Sequence, residues 1–204
     1  MRLYVQSPCA RVGGPYRASV AQASTLGYLA HMGDERAMLR HFLGAIAYRT
    51  QKALRDAPAN FGEFRAGHEV RTPTELIRHM TSVLGYARTH FVGGRYSPQP
   101  LPTLAAEVAR FHEVLADLAA HLECDTELQG IQPEQLLQGP FADAMTHAGQ
   151  LAMLRRLAGA PVPPEDFIVA DISPKRLGQD QPMPVSPDRV WPESPPTWVP
   201  PTID

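Results

Sequence analysis

The sequence predicts an all-α protein, a four-helix bundle with a Pro-rich extended C-terminal arm. Three observations carry that expectation. Four segments of about 20 residues repeat apolar side chains at steps of three and four, the period of a helix lying on a core. No region is rich in strand-forming residues, so the helices have only one another to cover. Of the 21 prolines, 12 fall between Pro161 and Pro201, where the helical pattern has stopped.

Taken in order, residues 17–31 are expected to form a short leading helix ended by Gly33, within an N-terminal segment 1–33. Asp34 is placed to cap the first main helix, which runs to about Asp56 and sets Leu39, Phe42, Leu43, Ile46 and Leu54 along one face. The second has the clearest start. In "TPTE", Thr72 stands at the N-cap, Pro73 at the first helical position and Glu75 where a capping box needs it. Leu76, Met80, Val83, Leu84, Ala87 and Phe91 form its buried stripe, and "GGRYSPQP" stops it. The third, about 103–123, repeats Leu104, Val108, Phe111, Leu115, Leu118 and Leu122 close to a heptad seam. The fourth spans roughly 140–158, ended by Gly159 and the prolines behind it. The bundle therefore occupies 34–160. Its connections at about 57–71 and 124–139 are long for hairpins, so the helices need not alternate up and down.

The arm, 161–204, cannot be helical through "QDQPMPVSPDRVWPESPPTWVPP". Phe167, Ile168, Trp191 and Trp198 are costly to leave in water, which favours an arm packed on the domain or on a neighbouring subunit.

Composition narrows the class. A chain of 204 residues, 44% hydrophobic and 20% charged, suits one substantial globular domain. A net charge of −2 gives nucleic acid or an acidic membrane no electrostatic hold. No apolar run approaches the roughly 20 residues that cross a bilayer. "MRLYVQSPCARVGG" lacks the apolar core of a signal peptide. Cys9 and Cys124 are too few for a disulfide framework. A reduced, cytoplasmic protein is expected, with a small-molecule substrate and no nucleic-acid or membrane partner.

The chemistry concentrates in "FADAMTHAGQLAMLRRLAG", residues 141–159. On a helical wheel with Asp143 at zero, His147 lies at about 40°, Gln150 at about 340° and Leu154 at about 20°, with Leu151 and Leu157 flanking them. Three polar groups share the sector of the leucines. An unpaired buried amide or imidazole costs about 1–3 kcal/mol, and a lone buried carboxylate costs more. Three arrangements compensate: a structural Asp–His hydrogen bond with an arginine such as Arg49 nearby, a water-filled pocket, or a divalent metal held by Asp143 and His147 from successive turns. A metal needs a third ligand. The second helix offers His79, on the flank of its stripe, and His90 three turns on at nearly the same angle; geometry alone does not choose. His112 flanks the third helix's seam and suits a satisfied core histidine. His121 faces away from that seam, His41 is off the first helix's stripe, and His31 and His68 fall in loops or helix ends.

Two of these segments resemble the DinB-like superfamily of metal-binding four-helix bundles, which includes thiol-dependent transferases. "RTPTELIRHM" resembles the start of that family's second helix, whose histidine ligand matches His79. "DAMTHAGQLAMLRR" resembles its last helix, where two histidines four apart precede a Gly-Gln pair; the second matches His147. The match covers roughly residues 35–160. It implies an up-down-down-up bundle, often a homodimer, with a metal in a cleft near one end. The chain departs from the pattern at one ligand, Asp143 standing where the family commonly has histidine. Two histidines and one carboxylate suit Zn²⁺ and resemble the facial triad of non-haem Fe(II) enzymes, with nickel and manganese also open.

The expected activity is that of a metal-dependent hydrolase or of a transferase or isomerase using a small thiol, with His79, Asp143 and His147 as ligands and Gln150 orienting a ligand or substrate. No separate general base stands out, although Tyr86 and His90 share the flank of His79. The alternative is a non-catalytic metal- or ligand-binding bundle acting through oligomerisation or through its arm, where PxxP-like spacing occurs. An Fe(II) redox enzyme is a third reading, without any di-iron Glu-x-x-His motif.

Overall fold

Thr72 opens the second long helix as its sequence requires. Thr72 Oγ1 accepts from the Glu75 amide at 3.3 Å and Glu75 Oε2 accepts from the Thr72 amide at 2.8 Å, so two donors that a helix start leaves unpaired are satisfied reciprocally. The computed structural model describes residues 22–186, with side chains from residue 35. Among them every regular element is helical: α1 (Gln22–Leu54), a 3₁₀ turn (Phe61–Glu63), α2 (Pro73–Val92), α3 (Leu104–Glu123), α4 (Pro133–Leu136), a π turn (Leu137–Phe141) and α5 (Ala142–Leu157).

Two helix boundaries differ from expectation. α1 runs without a break from Gln22, so Gly33 does not end a leading helix and Asp34 is not an N-cap. A glycine inside a helix costs only about 1 kcal/mol, which a long helix with one packed face absorbs. Residues 17–21 of the expected leading helix lie outside the described residues. The helical path into α5 begins at Pro133, not near 140, because the Leu137–Phe141 turn widens to a π turn around Pro140. A proline inside a regular α-helix removes one hydrogen bond and collides with the carbonyl four residues back; a wider turn relieves both. The turn also corrects the phase. Leu136 and Phe141 are both fully buried, although five residues of regular α-helix would set them about 140° apart.

α2 packs on α3, α3 on α1, α1 on α5 and α5 on α2. Leu43, Ile46, Met80, Leu84, Phe111, Leu115, Leu118 and Leu151 fill the space between them. Polar bonds pin α2 to α3 at two levels. Glu107, fully buried, accepts from Arg78 Nε at 2.7 Å and from the Leu101 amide at 2.7 Å; further along, Arg88 pairs with Asp117. Between α2 and α3 the chain returns past Gly85, where a Cβ would stand 2.1 Å from the Tyr96 ring; only glycine leaves that ring its place. Arg155 closes the end of α1, donating to the carbonyls of Ala53 at 3.0 Å and Arg55 at 2.8 Å that the helix leaves unpaired.

The described part of the arm, residues 161–186, packs on its own chain. Glu165 is buried, accepts from Tyr48 Oη at 2.6 Å and pairs with Lys52 Nζ at 3.1 Å. Arg49 lies over the Phe167 ring at 3.7 Å. The Leu177 carbonyl accepts from His112 Nδ1 at 2.6 Å, and the Gln181 carbonyl from Arg55 at 2.8 Å. Ile168, expected to be covered, is 94% exposed. Trp191 and Trp198 lie outside the described residues.

Candidate metal centre

α5 presents Asp143 and His147 four residues apart, on the side turned to α2, and α2 presents His79 from its second turn. Nε2 of His147 stands 3.2 Å from Asp143 Oδ1, and Nε2 of His79 stands 3.8 Å from Asp143 Oδ2. The two imidazoles meet edge to face with centroids 4.8 Å apart. One ligand-type atom from each of the three side chains fits within 4.8 Å of the others.

Gln150 fixes the chemistry of His147. Its Oε1 lies 2.7 Å from His147 Nδ1, and an amide oxygen only accepts, so Nδ1 carries the proton and Nε2 presents a lone pair. That lone pair is buried and makes no hydrogen bond. Asp143 Oδ1 lies 3.2 Å away, but a carboxylate oxygen only accepts and Nε2 in this tautomer has no proton to give it. Two lone-pair atoms facing each other at this spacing suit a shared cation, whose ligands at about 2.0–2.2 Å stand roughly 3 Å apart. His79 is held neutral further into acid than an ordinary histidine, first because burial penalises its charged form, then through the nearby charge of Arg71 and its neighbour His147; Asp143 acts in the opposite direction. Neutral imidazole is the form that binds metal.

The cluster sits on the lip of the helices. Asp143 keeps 45% of its side-chain exposure, His79 33% and His147 9%. The wheel reading, which turned all three polar residues of α5 into the core, therefore holds for His147 alone. Gln150 and Leu157 are exposed. α5 meets α2 at an edge, so its polar stripe straddles the boundary between core and cleft. The cleft, about 720 Å³, is walled by Ser82, Val83, Tyr86 and Thr146, and by Gly139 and Pro140 of the π turn.

The other histidines are elsewhere. His90 Nδ1 lies 3.1 Å from the Gln129 carbonyl and its ring abuts Tyr86, away from the cluster. His112 is buried under the arm. His121, expected to face away, is also buried, stacked on Phe91 at 5.4 Å, because the face α3 buries is wider than its heptad seam. Arg49 does not support the Asp143–His147 pair; it lies against Phe167. Arg71 is the cation that acts on His79, and neither its spacing nor its composition marked it in the sequence. Cys124 stands at the C-cap of α3, and Cys9 lies outside the described residues. No helix among the described residues is long and apolar enough to cross a membrane.

No family model matches the chain, and neither a curated protein nor a solved structure matches it. The functional reading therefore rests on the site itself.

Proposed function

We propose that the chain is a metal-dependent enzyme of small molecules, a hydrolase or a transferase or isomerase using a small thiol, with a divalent transition ion held by His79, Asp143 and His147. The observation that carries this is the convergence of three ligand-type atoms from two helices beside an open cleft, one of them a buried lone pair without a hydrogen bond. Two imidazoles and one carboxylate fit Zn²⁺, Ni²⁺ or Fe²⁺ and leave positions for substrate. The chemistry such an ion supplies is Lewis-acid activation of water or of a thiol. Gln150 keeps His147 in the ligating tautomer. Tyr86 offers its hydroxyl to a bound molecule, and Ser82 and Thr146, whose protons go to the Arg78 and Ala142 carbonyls, offer acceptor lone pairs, in a cleft that among the described residues no lysine or arginine lines.

The reading includes an up-down-down-up four-helix bundle of the DinB-like kind, working as a homodimer. Supporting the topology are pairs along the helices. Arg78 meets Glu107 and Phe91 meets His121, as in parallel neighbours; His79 meets His147 while Leu76 and Leu154 flank one groove, as in antiparallel ones. The competing reading, a structural Asp143–His147 hydrogen bond, has the 3.2 Å separation in its favour and the tautomer set by Gln150 against it.

The test is metal content. Chain purified without a histidine tag is analysed for transition metals, alongside His79→Ala and His147→Ala. About one equivalent in the parent and a loss of tenfold or more in each variant is expected, since two remaining ligands hold a divalent ion weakly. Less than about one-tenth equivalent in the parent, unchanged by reloading with Zn²⁺, Ni²⁺ or Fe²⁺, overturns the proposal.

A further inference from the structure

On the opposite side of α5 from His147, a second cavity of about 340 Å³ opens between α1, α5 and the first residues of the arm. Its body is apolar, formed by Ala53, Ala152, Met153, Val162, Pro164 and Phe167, and three cationic residues, Arg49, Lys52 and Arg156, line it. We propose that this cavity binds a small amphipathic anion, a carboxylate on a compact hydrocarbon body, with Arg49 gripping the anion and the arm forming one wall.

Three observations point this way. Arg49 lies half-buried with its guanidinium carbon 3.7 Å from the centre of the Phe167 ring, and among the described residues no carboxylate bonds to it. The acid whose charge acts on it, Glu165, is committed to Tyr48 and Lys52. A guanidinium packed over an aromatic ring spends none of its N–H donors on that contact, and a planar carboxylate is the group its fork matches best. Second, the space is kept open on the helix side. A Cβ built on Gly149 meets nothing within 4 Å, and Ala148 and Ala152 flank it. Third, the cavity exists only because the arm is docked, with Val162, Pro163, Pro164 and Phe167 contributed by it. A mostly hydrocarbon lining with a cationic arginine in it is complementary to an anion with an apolar tail, and poorly so to a neutral polar metabolite.

The test uses octanoate as probe, titrated calorimetrically into the full chain with chelator present so that any metal at His79 plays no part. Saturable one-to-one binding is expected. Octanol, which has the tail without the charge, binds at least tenfold more weakly, and Arg49→Gln lowers octanoate affinity about tenfold to a hundredfold, the worth of a charge-assisted hydrogen bond. Gly149→Leu fills the cavity while favouring the helix, so it abolishes binding without loss of the melting temperature. His79→Ala binds octanoate as the parent does. Absence of saturable binding to the parent, equal affinity for octanol, or undiminished binding by the Gly149→Leu variant overturns the proposal. None of these outcomes bears on metal content.

Discussion

Glu165→Gln is the sharpest probe of how the arm is held. The substitution keeps the shape of the side chain and removes a charge that is 0% exposed, sits 3.1 Å from Lys52 Nζ and accepts from Tyr48 at 2.6 Å. Removing one partner of a buried ion pair costs about 3–5 kcal/mol, because the other charge stays desolvated. Here the cost is lower, since Lys52 keeps its bond to the Pro163 carbonyl at 2.7 Å and its further contacts, and the glutamine oxygen still accepts from Tyr48. A loss of about 2–4 kcal/mol follows. At roughly 2–4 °C per kcal/mol for a domain of this size, the melting temperature falls by about 5–15 °C.

Two readouts check it together, thermal unfolding by circular dichroism and the rate of proteolytic cleavage within 161–186. Both change if Glu165 pins the arm and the arm stabilises the helices. Lys52→Met combined with Glu165→Gln is less destabilising than the sum of the two, since no buried charge is then left behind. A Glu165→Gln melting temperature within about 2 °C of the parent, with arm cleavage unchanged, refutes the reasoning: the arm would then contribute no cooperative stability.

Further outcomes are expected at other positions. Gln150→Leu frees the His147 tautomer and weakens metal affinity about 10–100-fold without altering the fold, measured by chelator competition. Gly44→Ala improves helix propensity by about 1 kcal/mol, yet its Cβ would stand 2.6 Å from the Ser173 carbonyl. The melting temperature therefore falls, because the backbone of the arm must move off α1. Burial holds the His112 pKa below its usual 6.5, against the raising effect of its bond to the Leu177 carbonyl. A histidine depressed in the folded state contributes fully above its unfolded value and loses that contribution as acid protonates the unfolded chain first. Stability measured by urea titration drops as pH falls through about 6.5, and His112→Asn, which keeps a donor for Leu177, flattens that drop.

Most of the helical layout was legible because its signals are local. Thr72 with Glu75 names a helix start, and Leu104 to Leu122 a buried seam, without knowledge of any neighbour. The failures have physical causes of their own. Gly33 reads as a stop only if the chain turns left-handed there; a glycine that stays helical costs little and gives no other mark. Pro140 reads as a helix start because a regular turn cannot hold it, whereas a π turn can. His121 and Ile168 were misplaced because their burial depends on which helix or arm segment lies opposite, a tertiary fact. At the site, Asp143, His147 and Gln150 were readable as a stripe on one helix, and His79 over His90 came from the family resemblance, not from spacing. Arg71 and the Arg49–Phe167 stack depend on contacts across the fold and left no pattern to read.

α5 explains why so much of this chain's polar chemistry lies outside the site. Its side toward α2 is given to Asp143, His147 and Gln150, and its side toward α1 to Ala148, Gly149 and Ala152, so Leu151 and Leu154 are the only large apolar residues it buries completely. Two buried leucines hold a helix weakly, at about 1.5–3 kcal/mol each against the entropy of ordering its residues. The compensation comes from its ends and from its cover. At one end Leu136 and Phe141 anchor the π turn; at the other Arg155 ties α5 to the last carbonyls of α1; across the gap beside Gly149 the arm is fastened by Glu165. Arg155→Met is therefore expected to unfold α5 more readily than the other helices, which hydrogen exchange detects as faster exchange at 142–157 than in α2 and α3. Uniform loss of protection across all helices would instead mean that α5 folds as one unit with them and needs no separate support.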